Sequence, residues 1–406
     1  MIIKSHTLAN GLRTVHLPIS SQVAYCGFAI NAGARDEQTE EAGLAHFVEH
    51  TLFKGTLKRK SWHILNRMEN VGGELNAYTT KESTFIYSIF MAKDFERAAE
   101  LLSDLIVNSQ FPENELEKER EVILDEIQSY EDSPSELIFD DFENLIFNGH
   151  QLGHHILGNK RSLKSFGTLA GQSFIKRFYT AENMVFFTMS NLDFKRVVRI
   201  AEKYMSCIPS QISKLQRIKP PEIKSQTIQK KKKTHLSHII VGGQAYDLFD
   251  EKRYLLFLLN NILGGPGMNN RLNVSLREKH GLVYTVESNV TSYTDTGVFT
   301  VYLGADPKNR ERSMRLVESE LEKLRTKKLT ATQLAAAKKQ AVGQLGVASD
   351  NKESLFLGLG KSFLHYNSYE PLEDVFRKIE QITSEQIIET ANEIMSPEKL
   401  FTLIYE

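Results

Sequence analysis

The stretch "EEAGLAHFVEHTLFKGT", residues 40–56, places two histidines and a glutamate within five positions, His46, Glu49 and His50. On a helix, positions i, i+3 and i+4 emerge on one face. Two imidazoles there can reach a single ion while the carboxylate stands beside it. Because a catalytic zinc takes three protein ligands and keeps a fourth position open, the stretch predicts part of a zinc site whose third ligand lies elsewhere. A hydrogen-bonded, solvent-facing cluster is the alternative.

A downstream acidic segment offers that third ligand. In "EREVILDEIQ", residues 119–128, Glu119 and Glu126 lie seven apart, with apolar residues between them at helical spacing. The two carboxylates therefore share nearly the same helix face. A glutamate with apolar neighbours is a suitable oxygen ligand for zinc beside two histidines. The acidic run from Glu113 to Asp141 fits a charged surface helix equally well.

Length and composition bound the class of protein. The chain has 406 residues, 41% apolar and 25% charged, which is typical of a soluble protein of two or three domains. A net charge of −1 gives no general attraction to nucleic acid or membrane, so neither is an expected partner. Because the sequence has no signal-peptide core and no long apolar run, we expect a cytoplasmic protein. Cys26 and Cys207 have apolar neighbours and are expected to be buried free thiols.

The order of predicted elements repeats after a polar, proline-containing segment. Each half has an alternating strand, two helical stretches, two more strands and an amphipathic helix. This pattern predicts an α+β fold of two homologous domains, each a mixed or antiparallel β-sheet with helices packed on one face. The predicted limits are residues 1–208, a linker at 209–229, and residues 230–406. Apolar "LLFLLNNIL" replaces the histidines in the second half, so we expect metal only in the first.

Several blocks together resemble the inverzincin zinc metallopeptidases of the pitrilysin, insulin-degrading enzyme and mitochondrial processing peptidase family. "HFVEH" matches the H-x-x-E-H motif, and "NAGARDE" and "GGELNAYTTKESTFIY" are similar to its flanking blocks. The resemblance covers nearly the full chain and implies a half-length, two-domain zinc endopeptidase of bacterial type with one Zn²⁺ per chain. It implies zinc ligation by His46, His50 and Glu126, a general base acting on zinc-bound water at Glu49, and an auxiliary acid at Glu119.

The same resemblance suggests how a peptide substrate binds. "ELNAYTT" is a candidate sheet edge, and in the family an extended substrate adds to this edge as a β-strand within a closed chamber. Asn76 would then contact the substrate main chain and Ala77 would lie on the pairing edge, although Asn76 also suits an ordinary strand start. Glu136 and Asp140 share a helix face and can hold a substrate guanidinium. An ordinary helix N-terminus after Pro134 explains these two acids equally well.

The second half contains a further resemblance, the pair Arg277 and Tyr284. They lie seven apart across a turn at Gly281. In the family such an arginine can hold a substrate carbonyl and such a tyrosine can donate to the developing oxyanion. The alternative places Arg277 in a surface ion pair and Tyr284 in the core.

Chain length suggests a partner. Long family members carry four such domains, whereas this chain has two, so the resemblance implies that a second chain completes the chamber. We expect a homodimer, with a heterodimer with an inactive relative as the alternative. A noncatalytic core or scaffold subunit partnering an active chain is the alternative function. A processing enzyme and a small-peptide scavenger fit the residues equally well.

Overall fold

The computed structural model describes residues 2–211 and 216–406, so residues 212–215 of the predicted linker lie outside the described residues. The chain forms two compact units, each assembled from three segments. The first unit comprises Met1–Gln128, His154–Arg217 and Ser349–Pro371, and the second comprises Ser129–Gly153, Ile218–Ala348 and Leu372–Glu406. Residues 129–153, which fall within the first predicted domain, pack in the second unit. Residues 349–371, which fall within the second predicted domain, pack in the first unit. The division at 208 and 230 itself stays a prediction about homologous halves.

The first unit is built on a six-stranded mixed sheet. Its strands are β1 (Lys4–Thr7), β2 (Arg13–Pro18), β3 (Val23–Ile30), β4 (Glu74–Thr79), β5 (Thr84–Met91) and β6 (Met184–Ser190). They run in the order β1-β2-β6-β3-β5-β4. Only β2 and β6 pair in parallel; the other neighbours are antiparallel. Strand β4 is therefore an edge strand, as the sequence predicted.

The helices of this unit cover the sheet with a large apolar core. They are α1 (Leu44–Thr51), α2 (Ser61–Glu69), α3 (Phe95–Asn108), most of α4 (Glu113–Glu131), α6 (Lys160–Leu163), α7 (Thr168–Phe178), α8 (Phe194–Met205) and α12 (Lys352–Tyr366). Phe28 of β3, Phe47 of α1 and Leu102 of α3 are fully buried in that core. Helix α1, which contains "HFVEH", is therefore held on its apolar side by the sheet layer.

The second unit has a five-stranded mixed sheet. Its strands are β7 (Thr227–Lys230), β8 (Ser237–Ala245), β9 (Val283–Ser292), β10 (Gly297–Ala305) and β11 (Phe401–Tyr405), in the order β7-β11-β8-β10-β9. Its helices are α5 (Pro134–Ile146), α9 (Arg253–Gly264), α10 (Arg310–Thr326), α11 (Ala331–Ala348), α13 (Leu372–Gln381) and α14 (Ser384–Ile394), with a π-helix at Asn273–Glu278. The predicted two-domain α+β fold is confirmed.

The two sheets share one topology, which supports the predicted internal duplication. Apart from the additional edge strand β1, each sheet has an early strand that pairs in parallel with its last strand, β2 with β6 and β7 with β11. The next three positions are antiparallel in both sheets, in the order β3-β5-β4 and β8-β10-β9. The sequence periodicity had indicated only the three antiparallel strands of each half.

One detail of the fold prediction is wrong, because helices lie on both faces of each sheet. Helix α12 covers the second face of the first sheet, and its Phe356 stacks on Phe187 with ring centroids 4.3 Å apart. Helix α5 covers the second face of the other sheet through Ile138 and Phe142. Strand β3 is accordingly buried at seven of eight positions, so its alternation of residue types does not mark a solvent-facing side.

Two smaller findings concern membrane-spanning helices and the cysteines. No helix of the described residues is long and apolar enough to cross a membrane. Both cysteines are free and Cys26 is buried, but Cys207 is exposed, contrary to expectation. It follows the last turn of α8, where its apolar sequence neighbours Met205 and Ile208 face the core without it.

Candidate metal centre

The start of α1 is fixed by a buried carboxylate. Gly43 precedes the helix with φ +93°, in the left-handed region that favours glycine. The Glu37 carboxylate accepts hydrogen bonds from the backbone N–H groups of Gly43 and Ala45, at 2.9 and 2.8 Å. These amides would otherwise be orphan donors of the helix N-terminus. Burial raises the pKa of Glu37 well above its ordinary value, whereas the two amide contacts oppose that shift.

Three predicted ligands converge beside this helix. His46, His50 and Glu126 each offer one donor atom, and these atoms all lie within 4.8 Å of one another. Glu126 Oε2 is 3.7 Å from His46 Nε2 and 3.5 Å from His50 Nε2. Glu126 comes from α4, so the group joins two helices that are far apart in sequence. Among the described residues, no other group of three His, Cys, Asp or Glu side chains meets the same distance criterion.

The spacing of these atoms suits a tetrahedral zinc ion. Zinc–ligand bonds of about 2.1 Å at a tetrahedral angle place two donor atoms about 3.4 Å apart. The observed 3.5 and 3.7 Å separations are close to that value and long for a hydrogen bond. Burial, followed by the neighbouring His50, lowers the pKa of His46 to about 3, so its imidazole is neutral and can offer a lone pair. The residues present therefore fit zinc.

Different contacts hold the two histidine rings in place. His50 Nδ1 donates to Glu119 Oε1 at 2.9 Å, which leaves Nε2 as the ring nitrogen facing Glu126. A carboxylate behind a ligating histidine is the usual way a metal site fixes the imidazole tautomer. His46 Nδ1 is buried and has no hydrogen-bond partner among the described residues. Its ring is held by packing, including an edge contact with His50 at 4.5 Å between centroids.

Glu49 lies on the same turn of α1 but outside the ligand group. It is half-buried, and burial raises the pKa of its carboxyl above the ordinary value. The nearby Thr79 at the end of β4 and the His50 imidazole act in the opposite direction, while the Glu126 charge adds to the rise. The carboxylate therefore stands between the candidate metal site and the sheet edge.

The predicted substrate strand lies next to α1. Asn76 and Ala77 are both half-buried in β4, where they pair with Tyr87 and Ile86 of β5. The other side of β4 has no strand partner among the described residues. An edge strand without a strand partner is the geometry that strand addition needs.

The predicted acidic pair lies in the second unit. Glu136 is exposed in the first turn of α5 behind Pro134, and Asp140 is one turn further on. Asp140 also interacts with Tyr130, where it contributes to raising the pKa of that tyrosine after the larger effect of burial. The helix-start position of Glu136 is the one expected from the helix-dipole alternative. Their predicted role in binding a substrate arginine stays a prediction.

Arg277 and Tyr284 also lie in the second unit, and both are exposed. Arg277 is in the last turn of the π-helix Asn273–Glu278, and Tyr284, 67% exposed, is near the start of the edge strand β9. Gly281 joins them with φ +58°. The structure thus excludes the alternative of Tyr284 in the core. Among the described residues, Arg277 forms no ion pair. Their catalytic roles stay predictions.

Two residues that support the centre were missed in the sequence. Glu37 ends the quoted block "NAGARDE", yet nothing in its local pattern indicates that it caps α1. Lys54 lies four residues after His50, and its Nζ forms an ion pair with Glu119 Oε2. The i, i+4 spacing of a histidine and a lysine facing one glutamate was the available signal.

Comparisons with known proteins identify the family. Residues 15–160 match the family model described as Insulinase (Peptidase family M16), and residues 172–341 match the one described as Peptidase M16 inactive domain. A Bacillus subtilis protein named "Uncharacterized zinc protease YmxG" is 30% identical over 405 residues, 99% of this chain and 98% of its own. A Rickettsia felis "Uncharacterized zinc protease" is 33% identical over 391 residues, 96% of this chain and 94% of its own.

Solved structures show the same fold. A protease from Helicobacter pylori has a TM-score of 0.94 at 21% identity, over 100% of this chain and 99% of its own. A peptidase M16 inactive domain from Pseudomonas fluorescens has a TM-score of 0.93 at 19% identity, over 100% and 98%. From the relatives and the two matched family models, the chain belongs to the insulinase, or pitrilysin-type, peptidase family M16, as a half-size member with two domains.

Proposed function

We propose that the protein is a zinc-dependent endopeptidase that hydrolyses peptides or unfolded segments. One observation carries the proposal: two histidines and a glutamate converge at tetrahedral zinc spacing, and Glu49 lies beside them without joining the group. The names of the relatives, which call them zinc proteases, support the same chemistry.

The three ligand residues would hold the ion and leave one coordination position open. When bound, zinc supplies a Lewis acid that polarises the scissile carbonyl and makes water more acidic. His50 would offer its Nε2 to the ion, because Glu119 accepts a hydrogen bond from Nδ1 and so fixes the imidazole tautomer. Glu126, 43% exposed, leaves the site open toward solvent.

Glu49 is the proposed general base. Its half-buried carboxyl lies on the same turn as both histidines, and can take a proton from water and pass it to the leaving amine. Tyr284 would donate to the developing oxyanion and Arg277 would hold a substrate carbonyl. Both side chains are exposed and available for such contacts.

The substrate would bind as an added strand on β4, with main-chain hydrogen bonds supplying affinity. Asn76 would contact that main chain, and Ala77 would lie on the pairing edge. Glu136 and Asp140 would favour a basic residue in the substrate. We also propose that two copies of the chain form the active assembly and enclose the substrate in a chamber. Light scattering on purified protein tests the dimer, for which we expect twice the mass of one chain.

Metal analysis combined with peptide digestion tests the proposal. Wild-type protein and Glu49→Gln are analysed for zinc and incubated with a peptide library, and cleavage sites are read by mass spectrometry. We expect about one zinc per chain in both proteins and cleavage only by the wild type. An active Glu49→Gln protein would refute the assigned base. Absence of both zinc and cleavage in the wild type would favour a noncatalytic scaffold subunit.

A further inference from the structure

Both oxygens of the Glu119 carboxylate are engaged by one neighbouring helix. Oε1 accepts from His50 Nδ1 at 2.9 Å, and Oε2 forms an ion pair with Lys54 Nζ. The Glu119 side chain is only 10% exposed, so this carboxylate has little access to water. The imidazole and the ammonium therefore supply the main partners of this carboxylate.

Local structure places these two donors together. Helix α1 continues directly into a short 3-10 turn, Leu52–Lys54, so His50 and Lys54 follow one another on the same side of the chain. The next residues are tied down, since Gln110 N donates to the carbonyl of Gly55 at 3.0 Å. Lys54 therefore approaches Glu119 from a fixed backbone position.

A surface ion pair on α4, the helix that contains Glu119, provides a contrast. Lys118 and Glu115 of α4 are 2.8 Å apart with side chains 69% and 25% exposed, and neither touches a candidate metal ligand. Lys54 is 25% exposed, and its partner is bonded to a candidate ligand. Exposed pairs of the Lys118 type contribute little to stability, whereas a pair that fixes the partner of a ligand acts on metal binding.

We propose that Lys54 is a positioning residue for the metal centre. It holds one oxygen of Glu119, so that the other oxygen stays on His50 Nδ1 and His50 Nε2 stays directed at the ion. The inference rests on the proposed zinc site and adds a residue to it. Without Lys54 the Glu119 carboxylate can rotate away, and the imidazole loses its orientation.

The sign of the effect separates this role from simple electrostatics. Removing a positive charge beside a dication would by itself strengthen zinc binding. Losing the orientation of a ligand weakens binding, by about tenfold to a hundredfold for groups that contact ligands directly. Because Lys54 is one contact further out, we expect about a tenfold weakening in Lys54→Met.

The test measures zinc affinity and requires no peptide cleavage. Metal-free full-length wild type, Lys54→Met, Lys54→Arg and the control Lys118→Met are titrated with zinc against a chelator, with circular dichroism to verify folding. We expect about tenfold weaker binding for Lys54→Met, recovery to within about threefold for Lys54→Arg, and no change for Lys118→Met. Equal or tighter binding by Lys54→Met would overturn the proposal.

Two additions keep the outcome decisive. In a Glu119→Gln background, Lys54→Met should have no further effect on zinc affinity. An additive loss of affinity would show that Lys54 does not act through Glu119. If Lys54→Met does not fold, Lys54→Gln replaces it, with a loss of about threefold expected and an unchanged affinity overturning the proposal. If the wild type binds no zinc, the proposed function fails; if it binds zinc and Lys54→Met matches it, only the role of Lys54 fails.

Discussion

Substitution of Gly43 by alanine should destabilise the start of the histidine-bearing helix. At φ +93° a side chain costs about 1 to 2 kcal/mol in backbone strain. A Cβ at this position would also lie 2.8 Å from Gly158 Cα and from the Leu157 carbonyl oxygen, which are backbone atoms that cannot rotate away. Such overpacking adds about 1 to 3 kcal/mol. We therefore expect a loss of about 2 to 5 kcal/mol in the free energy of unfolding.

Gly72 provides a matched control in the same unit. Its φ is +70°, yet a Cβ there would meet nothing within 4 Å, so Gly72→Ala should lose only the strain of about 1 to 2 kcal/mol. Urea denaturation of metal-free protein, followed by circular dichroism and by fluorescence of Trp62, the single tryptophan, measures both. Gly43→Ala should also weaken zinc binding, because α1 must move. A Gly43→Ala protein as stable as Gly72→Ala would refute the crowding argument.

Three further predictions concern catalysis, substrate binding and pH. Tyr284→Phe should lower kcat about a hundredfold with unchanged zinc content if its hydroxyl stabilises the oxyanion; steady-state kinetics showing wild-type kcat would remove it from the mechanism. Asn76→Ala should raise KM about fivefold with little change in kcat, because one hydrogen bond from the Asn76 side chain to the substrate main chain is lost; an unchanged KM for peptides would contradict that contact. Burial lowers the pKa of His16 to about 4, so the unfolded chain binds more protons between pH 6.5 and 4. Stability should therefore fall by up to about 3 kcal/mol as pH drops through that window, and denaturation of His16→Gln should show a smaller fall.

Much of the fold could be predicted because local periodicity reflects burial. The strands containing Phe28 and Phe299 and the helix containing Leu102 were all indicated by apolar spacing. The parallel pairs, β2 with β6 and β7 with β11, were not, because their partners are separated by long stretches of chain. The coverage of both sheet faces was also missed, because an apolar helix face in α5 or α12 does not indicate which sheet the helix packs on.

For the candidate site too, some features follow from the local sequence and others depend on the tertiary fold. The spacing of His46, Glu49 and His50 on one helix face follows from helix geometry alone. The proximity of Glu126 needed the tertiary fold, and the resemblance supplied that expectation before the structure. The contacts of Glu37 and Lys54 depend on how a loop and a second helix meet α1. The i, i+4 spacing of His50 and Lys54 indicates a shared face, but which glutamate they both contact depends on the tertiary fold. No local pattern predicts the contact of Glu37, which holds the start of the helix.

X-ray diffraction of zinc-loaded crystals at the zinc absorption edge tests the proposed zinc site most directly. We predict one anomalous peak per chain within about 2.0 to 2.2 Å of His46 Nε2, His50 Nε2 and a Glu126 carboxylate oxygen, with Glu49 outside the coordination shell. A peak at another group of residues, a shell that includes Glu49, or no peak at these three atoms would contradict the proposed zinc site.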